Sequence, residues 1–454
     1  MNTAEENKTL APWAAAMPAG WGVTRLDAVA DVLFSNVDKH TMDGEVPVRL
    51  CNYVDVYKNE RITSAIDFME ASAEEREIRK FQIRRGDVLA TKDSEEADDI
   101  AIPSLVTEDL PGVLCGYHLA LIRPRLSSVS SPFLAWLHAS KSFRAQYEAN
   151  AVGVTRFGLS QHAFRAARVP LPPLPEQQRI AAYLDASCAA IDAAVAAKRR
   201  QLEILDALRN SITQRAVTRG ISARVALAST GNVWMEEIPR GWKLVCLKRI
   251  SEIQGGLTLG KQYEGPLIER PYLRVANVQD GHLDLADVSV IELPASMAAG
   301  VELRPDDVLM TEGGDLDKLG RGYLWKGEIP GCLHQNHIFA VRCFLHKLKP
   351  MFLAYVTAAK YGRDYFEATG KKTTNLACTN ATKVGEFPIP LPPLSEQEAI
   401  CVHLDEKLSE LKHLVGGIET QIATLTAYRK SLIHECVTGQ RRVTEADVKE
   451  AARP

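Results

Sequence analysis

Along two stretches of this chain apolar residues recur at alternating spacings of three and four. In the first stretch Leu184, Cys188, Ile191, Val195, Lys198, Leu202, Leu205, Arg209, Ile212 and Ala216 fall on one seam, and in the second Leu404, Leu408, Leu411, Val415, Ile418, Ile422, Leu425, Arg429, Leu432 and Cys436 do the same. A seam of this period held over several heptads predicts a helix that needs a coiled-coil partner, rather than an amphipathic helix lying on its own domain. Each helix is expected to run for roughly 30 residues or a little more, which is about 50 Å at the α-helical rise. Pro175 suits a first helical turn, Ser395 with Glu398 has the spacing of a capping box, and Gly220 and Gly439 suit the two C-terminal stops. Arg209 and Arg429 interrupt the seams, where each either snorkels to the edge, pairs with an acid or meets a partner protein.

Upstream of each seam the period is different. Short runs with strand character (46–56, 113–122, 270–278 and 337–343) are punctuated by glycine and proline and mixed with helical patterns at 132–148 and 351–366. Each such region reads as an α+β domain. The two regions are copies. Leu171-Pro172-Pro173-Leu174-Pro175-Glu176-Gln177 returns as Leu391-Pro392-Pro393-Leu394-Ser395-Glu396-Gln397, Pro18-Ala19-Gly20-Trp21 as Pro239-Arg240-Gly241-Trp242, and Arg85-Gly86-Asp87-Val88-Leu89-Ala90-Thr91 as Pro305-Asp306-Asp307-Val308-Leu309-Met310-Thr311, at offsets of 220 or 221 positions. The expected division is a first domain over 1–170, a helix over 171–220, a linker over 221–238, a second domain over 239–390, a helix over 391–440 and a tail over 441–454. Chain order fixes direction: a second helix leaving the second domain packs on the first only by running back. The expected arrangement is an intramolecular antiparallel coiled coil with pseudo-twofold symmetry, one domain at each end, which matches a two-part site on duplex DNA.

Composition narrows the class without deciding it. A chain of 454 residues exceeds what one core serves, and its 46% hydrophobic content is that of a folded protein. No run approaches eighteen uninterrupted apolar residues and the polar start lacks a signal-peptide pattern, so a cytoplasmic protein is expected. The nine cysteines are scattered, without a CxxC pair, as befits reduced thiols. A formal charge of -3 conceals local asymmetry: between Lys141 and Arg168 five basic residues face one acid, Glu148.

Duplex recognition needs cations for phosphates and amides, hydroxyls or guanidinium groups for base edges. Two glycine-led basic loops occupy corresponding places before the helix motif. The first offers Thr155, Arg156, Ser160 and Gln161, and the second Lys371, Lys372, Thr373 and Asn375; Lys92, Lys261, Gln262, Lys318 and Arg321 in other polar loops complete the candidate DNA contacts. Arg156 suits a guanine or a phosphate, whereas Lys371 and Lys372 suit phosphates. Near misses to catalytic chemistry are few. Gly255 to Gln262 approaches a phosphate-binding loop but has Gln262 where a magnesium-holding hydroxyl belongs, and Cys332, His334, His337 and Cys343 lack the spacing of a structural zinc site. No metal or catalytic residue is assigned, although His337 at a loop end is a further residue that can face DNA.

The doubled Leu-Pro-Pro-Leu-x-Glu-Gln helix start, followed in both copies by Leu-Asp (Leu184-Asp185 and Leu404-Asp405), together with Leu273 to Val278 and the Asp-Val-Leu strands, resembles the specificity subunits of type I restriction-modification systems. The resemblance implies two target-recognition domains, each reading one half of a bipartite asymmetric site, with paired helices setting the gap. It implies a chain without catalytic role that works with two modification subunits, which bind S-adenosylmethionine and methylate adenine, and with restriction subunits that use ATP and Mg; no cofactor is expected on this chain. Neither half carries the Asn/Asp-Pro-Pro-aromatic signature of amino-methyltransferases. Alternatives are the specificity subunit of a two-subunit system cutting on both sides of its site, an enzyme fusing recognition with catalysis, and a coiled-coil scaffold that binds proteins.

Overall fold

The structure, a computed structural model, describes residues 17–258, 260, 264–314, 319–372 and 377–453. Two compact units emerge. Unit 2 is the contiguous segment Arg200–Glu419, whereas unit 1 joins the chain up to Arg199 with Thr420 onward.

Each unit is built on an antiparallel central sheet. In unit 1 the strands β1 (Ala30–Phe34), β2 (Arg61–Ile62), β3 (Val88–Thr91), β4 (Pro103–Val106) and β5 (Leu119–Pro124) lie in the order β1-β5-β3-β4-β2, with β2 parallel to β4 at the edge. In unit 2 the strands β6 (Ser251–Gly255), β7 (Asp307–Thr311), β8 (Gly322–Leu324) and β9 (Ile338–Cys343) repeat that order as β6-β9-β7-β8. The central strands read as unbroken apolar runs because both sheet faces are covered. Val88, Ala90, Ala120 and Ile122 enter one core of unit 1 while Leu89, Leu119 and Leu121 enter another on the opposite face. Val308 and Met310 against Leu309, and Val341 against Ala340, divide in the same way in unit 2.

The Asp of the repeated Asp-Val-Leu motif has a structural task. Asp87 is buried and takes both Nε and Nη2 of Arg123, at 2.8 and 2.7 Å, while accepting the Arg84 backbone N–H at 2.8 Å. Asp307 takes Nε and Nη2 of Arg342 and the Arg304 N–H at the same distances. Each pair staples its central strand to its neighbour with a bidentate, charge-assisted contact. The residue before each Asp turns the chain with positive φ, +93° at Gly86 and 73° at Asp306.

Two long helices, α1 (Leu174–Arg219, 46 residues) and α2 (Leu394–Thr438, 45 residues), run through both units. They exceed expectation, at about 69 Å each, because the helix already starts at the second leucine of the proline motif. In unit 1 Ile180, Leu184, Cys188 and Ile191, early in α1, share a core with Leu432, Ile433, Cys436 and Val437, late in α2. In unit 2 Ala216 and Val217, late in α1, share a core with Ile400 and Leu404, early in α2. The helices are therefore antiparallel within each unit. Among the two seam arginines, Arg429 pairs with Glu60 and Asp192 and lies over the Trp136 ring at 5.6 Å, and Arg209 pairs with Asp280 at 3.2 Å. Although α1 is long and apolar enough by composition to cross a membrane, its acids Asp185 and Asp192 are ion-paired to Arg61 and Arg429 of the same unit.

The Glu-Gln of the doubled motif docks these helices. Gln177 is fully buried; its Oε1 accepts the Ser130 N–H at 2.8 Å and its Nε2 donates to the Pro172 and Ser128 carbonyls. Gln397 does the same with the Lys349 N–H and the Pro392 and Lys347 carbonyls. Glu176 pairs with Arg442, and Glu396 accepts from Trp242 Nε1 at 3.0 Å. The repeated Pro-x-Gly-Trp segment closes the other ends: a side chain at Gly439, which stops α2 with φ +79°, would lie 2.4 Å from Pro18 Cδ and 3.2 Å from the Trp21 ring.

Several local expectations are corrected. The capping box does not form, because Ser395 is already inside the helix and Glu398 bonds Lys349 Nζ at 3.0 Å instead. The helices expected over 132–148 and 351–366 each break in two, at Ser140 and Ala359, where the backbone is extended. The run 46–56 is a strand only to Cys51 and continues as the helix Tyr53–Lys58. The segment 221–238 is not a plain linker, since Leu227–Asn232 and Met235–Pro239 pair as a hairpin that buries Met235 and Ile238. The tail carries the helix Glu445–Ala451, capped by Thr444 and Asp447, with Val443 in the unit 1 core.

Two outcomes follow. Replacing Gln177→Met keeps the volume but orphans a buried N–H and two carbonyls, and is expected to lower the stability of unit 1 by about 3 kcal/mol, read as a urea midpoint shift. His138 is wholly buried, hydrogen-bonded to the Leu134 carbonyl and Tyr147 hydroxyl, and burial pushes its imidazole down from 6.5 to about 4. The unfolded chain binds this proton first, so the contribution is fully present above pH 6.5 and is lost as pH falls toward about 4, by up to roughly 3 kcal/mol. A His138→Gln variant is expected to show a flatter fall of the urea midpoint between neutral pH and about pH 4.5.

Candidate nucleic-acid interface

Lys92, Arg156, Lys371 and Lys372, among the described candidates, lie on segments at one end of each central sheet, where β3 and β7 leave and β5 and β9 enter. In unit 1 the Lys92 N–H donates to the His118 carbonyl at 3.1 Å and the Lys92 carbonyl accepts from the Leu159 N–H at 2.9 Å. In unit 2 the Glu312 N–H donates to the His337 carbonyl at 2.8 Å and the Glu312 carbonyl accepts from the Thr379 N–H at 2.7 Å. By these bonds Lys92 and Glu312 are backbone equivalents, as are His118 and His337. The chain then forms a small ribbon against the basic loop. Asp93–Ser94 pairs with Phe157–Gly158 in unit 1, and Gly313–Gly314 pairs with Ala377–Cys378, itself paired with Lys371–Lys372, in unit 2. The two basic loops named from sequence thus occupy the same place in the fold.

Within unit 1 the loop is organised by Asp93. Its Oδ1 takes Arg156 Nη2 at 2.5 Å and its Oδ2 lies 2.8 Å from His118 Nδ1. Arg156 and His118 are half-exposed while Asp93 is largely buried, so the acid holds two outward-facing polar groups in fixed positions. Lys92 places its ammonium 4.2 Å from the Tyr117 ring centroid and 5.2 Å from that of Phe34, and burial lowers its pKa. Thr155 is exposed, as is Val154, at 93% the most open large apolar residue among the described residues. His118 and Tyr117 also line an open cleft of about 1260 Å³ shared with Lys39, His40, Arg49 and Asn52. Arg49 sits over the Phe68 ring at 5.9 Å in that cleft.

Ser160 and Gln161 carry bonds within the fold. Ser160 caps the helix Gln161–Ala166, its Oγ accepting the Ala163 N–H at 3.1 Å, and Gln161 Nε2 donates to the Val32 carbonyl at 2.8 Å. Both side chains therefore fix the loop end rather than project from it.

In unit 2 Lys371 and Lys372 form an exposed strand of the ribbon, and His337 Nδ1 lies 2.7 Å from Glu312 Oε2. Arg321 is half-buried beside β8, its carbonyl accepting the Thr311 N–H at 2.9 Å. Lys261, Gln262, Lys318, Thr373 and Asn375 lie outside the described residues. Gly256 of the near phosphate loop serves packing: a Cβ there would stand 2.2 Å from the His334 carbonyl, and the Leu257 N–H donates to that carbonyl at 2.9 Å. The four Cys/His residues weighed as metal ligands go to separate tasks. His334 is buried with Nδ1 bonded to the Ile338 carbonyl at 2.9 Å, Cys332 and Cys343 are core thiols pushed up to about 12 by burial, and His337 is engaged by Glu312.

Known proteins resemble this chain in sequence and in fold. Residues 21–203 match the family described as type I restriction modification DNA specificity domain. The chain is 28% identical over 204 residues to a putative type I restriction enzyme MjaX specificity subunit of Methanocaldococcus jannaschii, covering 44% of this chain and 47% of that one, so it spans about half of that relative. It is 22% identical over 334 residues to the EcoKI specificity subunit of Escherichia coli, covering 72% and 68%. Its fold matches a chain from a structure of type I restriction-modification complex assembly with a TM-score of 0.71 at 20% identity, covering 94% of this chain and 99% of the other. A match to the HsdS subunit of Thermoanaerobacter tengcongensis has a TM-score of 0.52 at 18% identity, covering 94% and 98%. Residues 21–203 thus resemble the type I restriction modification DNA specificity domain, and nearly the whole chain shares the fold of these two solved structures.

Proposed function

We propose that this chain is the DNA-recognition subunit of a type I restriction-modification system, in which each unit reads one half of a bipartite, asymmetric duplex site. The observation that carries this reading is the repeated sheet end: one backbone frame presents a basic ribbon in both units, with Arg156 in one and Lys371–Lys372 in the other, while the side chains around it differ. A shared frame with private contacts is what reading two different half-sites requires. Its role is recognition; methyl transfer and cleavage fall to partner modification and restriction subunits, where S-adenosylmethionine, ATP and Mg would bind. The relatives named as specificity subunits and the structure of complex assembly support such partners.

Mapping modified adenines in a host that carries this chain with its modification partner is expected to give two short blocks separated by a fixed number of unread bases; a single contiguous block, or no dependence on this chain, would refute the reading. Lys371→Ala combined with Lys372→Ala is expected to weaken duplex binding and make the slope of log K against log salt shallower by about 1.8, the loss of two phosphate contacts, with the preferred sequence unchanged.

A further inference from the structure

The same His–carboxylate pair stands at the recognition end of each unit. Asp93 and Glu312 are 219 positions apart, as are His118 and His337. The carboxylates are nevertheless not backbone equivalents, since Lys92 is the counterpart of Glu312. Unit 1 supplies a shorter acid from one residue further along, and unit 2 a longer acid from one residue earlier, yet each reaches Nδ1 of the equivalent histidine, at 2.8 and 2.7 Å. The surroundings have otherwise changed: Tyr117 precedes one histidine and Asn336 the other, and Arg156 shares the acid in unit 1.

Stability does not account for this retention. The imidazoles are 41% and 49% exposed although their acids are only 15% and 25% exposed, and ion pairs with one partner this open to solvent contribute about 1 kcal/mol. What the pairs do is orient. With Nδ1–H donating to the acid, the ring plane is fixed and Nε2 is left as the outward group; among the described residues no hydrogen bond to either Nε2 is formed. In the neutral ring Nε2 is an acceptor, complementary to the exocyclic amino groups of adenine and cytosine in the major groove. A phosphate oxygen calls instead for a donor, which Nε2 of the neutral ring is not, and Lys371 and Lys372 already supply donors on the unit 2 ribbon.

We propose that His118 and His337 are specificity-determining residues, each reading one base pair of its own half-site through an Nε2 whose direction is set by Asp93 or Glu312. This rests on the DNA-recognition reading above. The test uses the full-length chain, alone and as His118→Ala and His337→Ala, to select from a randomised duplex library, with melting curves confirming that each variant is folded. Wild type is expected to enrich two blocks. Each variant is expected to lose preference at one position by roughly tenfold, in a different block for each histidine, with the salt slope unchanged. Variants that enrich the wild-type blocks unaltered, or that weaken binding evenly across all sequences, overturn the inference and leave DNA recognition standing. A wild-type chain that enriches nothing overturns both. If either alanine variant melts early, His118→Asn and His337→Asn keep a polar side chain and give the same readout, an altered base at one position being expected.

Discussion

A buried amide holds each recognition unit to its long helix. Gln177 and Gln397 each bind one N–H and two carbonyls, joining the helix start to a neighbouring segment of its unit. Glutamine is the side chain that supplies an acceptor and two donors at this reach without a charge to bury. The prolines before it leave the Pro173 and Pro393 carbonyls to accept the first helical N–H groups at 2.8 to 3.1 Å, so the turn into the helix is closed on both sides. From that fixed start the seam residues follow, and with them the antiparallel pairing in each unit.

The central sheets are equally constrained. Covered on both faces and stapled by Asp87–Arg123 or Asp307–Arg342, they give the connecting loops a rigid base. Only the ends of the strands are at liberty to vary, and it is there that basic, aromatic and imidazole groups collect. Residues on loops anchored by a rigid sheet keep their geometry while their identity differs, and under the proposed function one frame would in this way serve two different base sequences.

Much of this was legible in the chain because it depends on repetition and period. The seams, their direction and the duplicated anchors all reappear in the structure. Residues were harder to read where one chemical signature has two uses. Ser160 has the side chain of a polar DNA contact and of a helix N-cap alike, and the Ala163 N–H shows the second use. The helices break at Ser140 and Ala359 although apolar periodicity runs through both, since extended backbone there leaves no mark on hydrophobic spacing. The role of His118 was hidden because its partner acid lies 25 residues away, and the matching acid in the other copy is shifted by one backbone position.

The discontinuity of unit 1 sets an order of folding during synthesis. Unit 2 is a single run of chain, Arg200–Glu419, and holds all its core residues once that run has left the ribosome. The core of unit 1 lacks Leu432, Ile433, Cys436, Val437 and Val443 until the segment beyond unit 2 is translated. Unit 1 is thus begun before unit 2 and completed after it, and in the interval the apolar residues of α1 that those side chains cover are left uncovered.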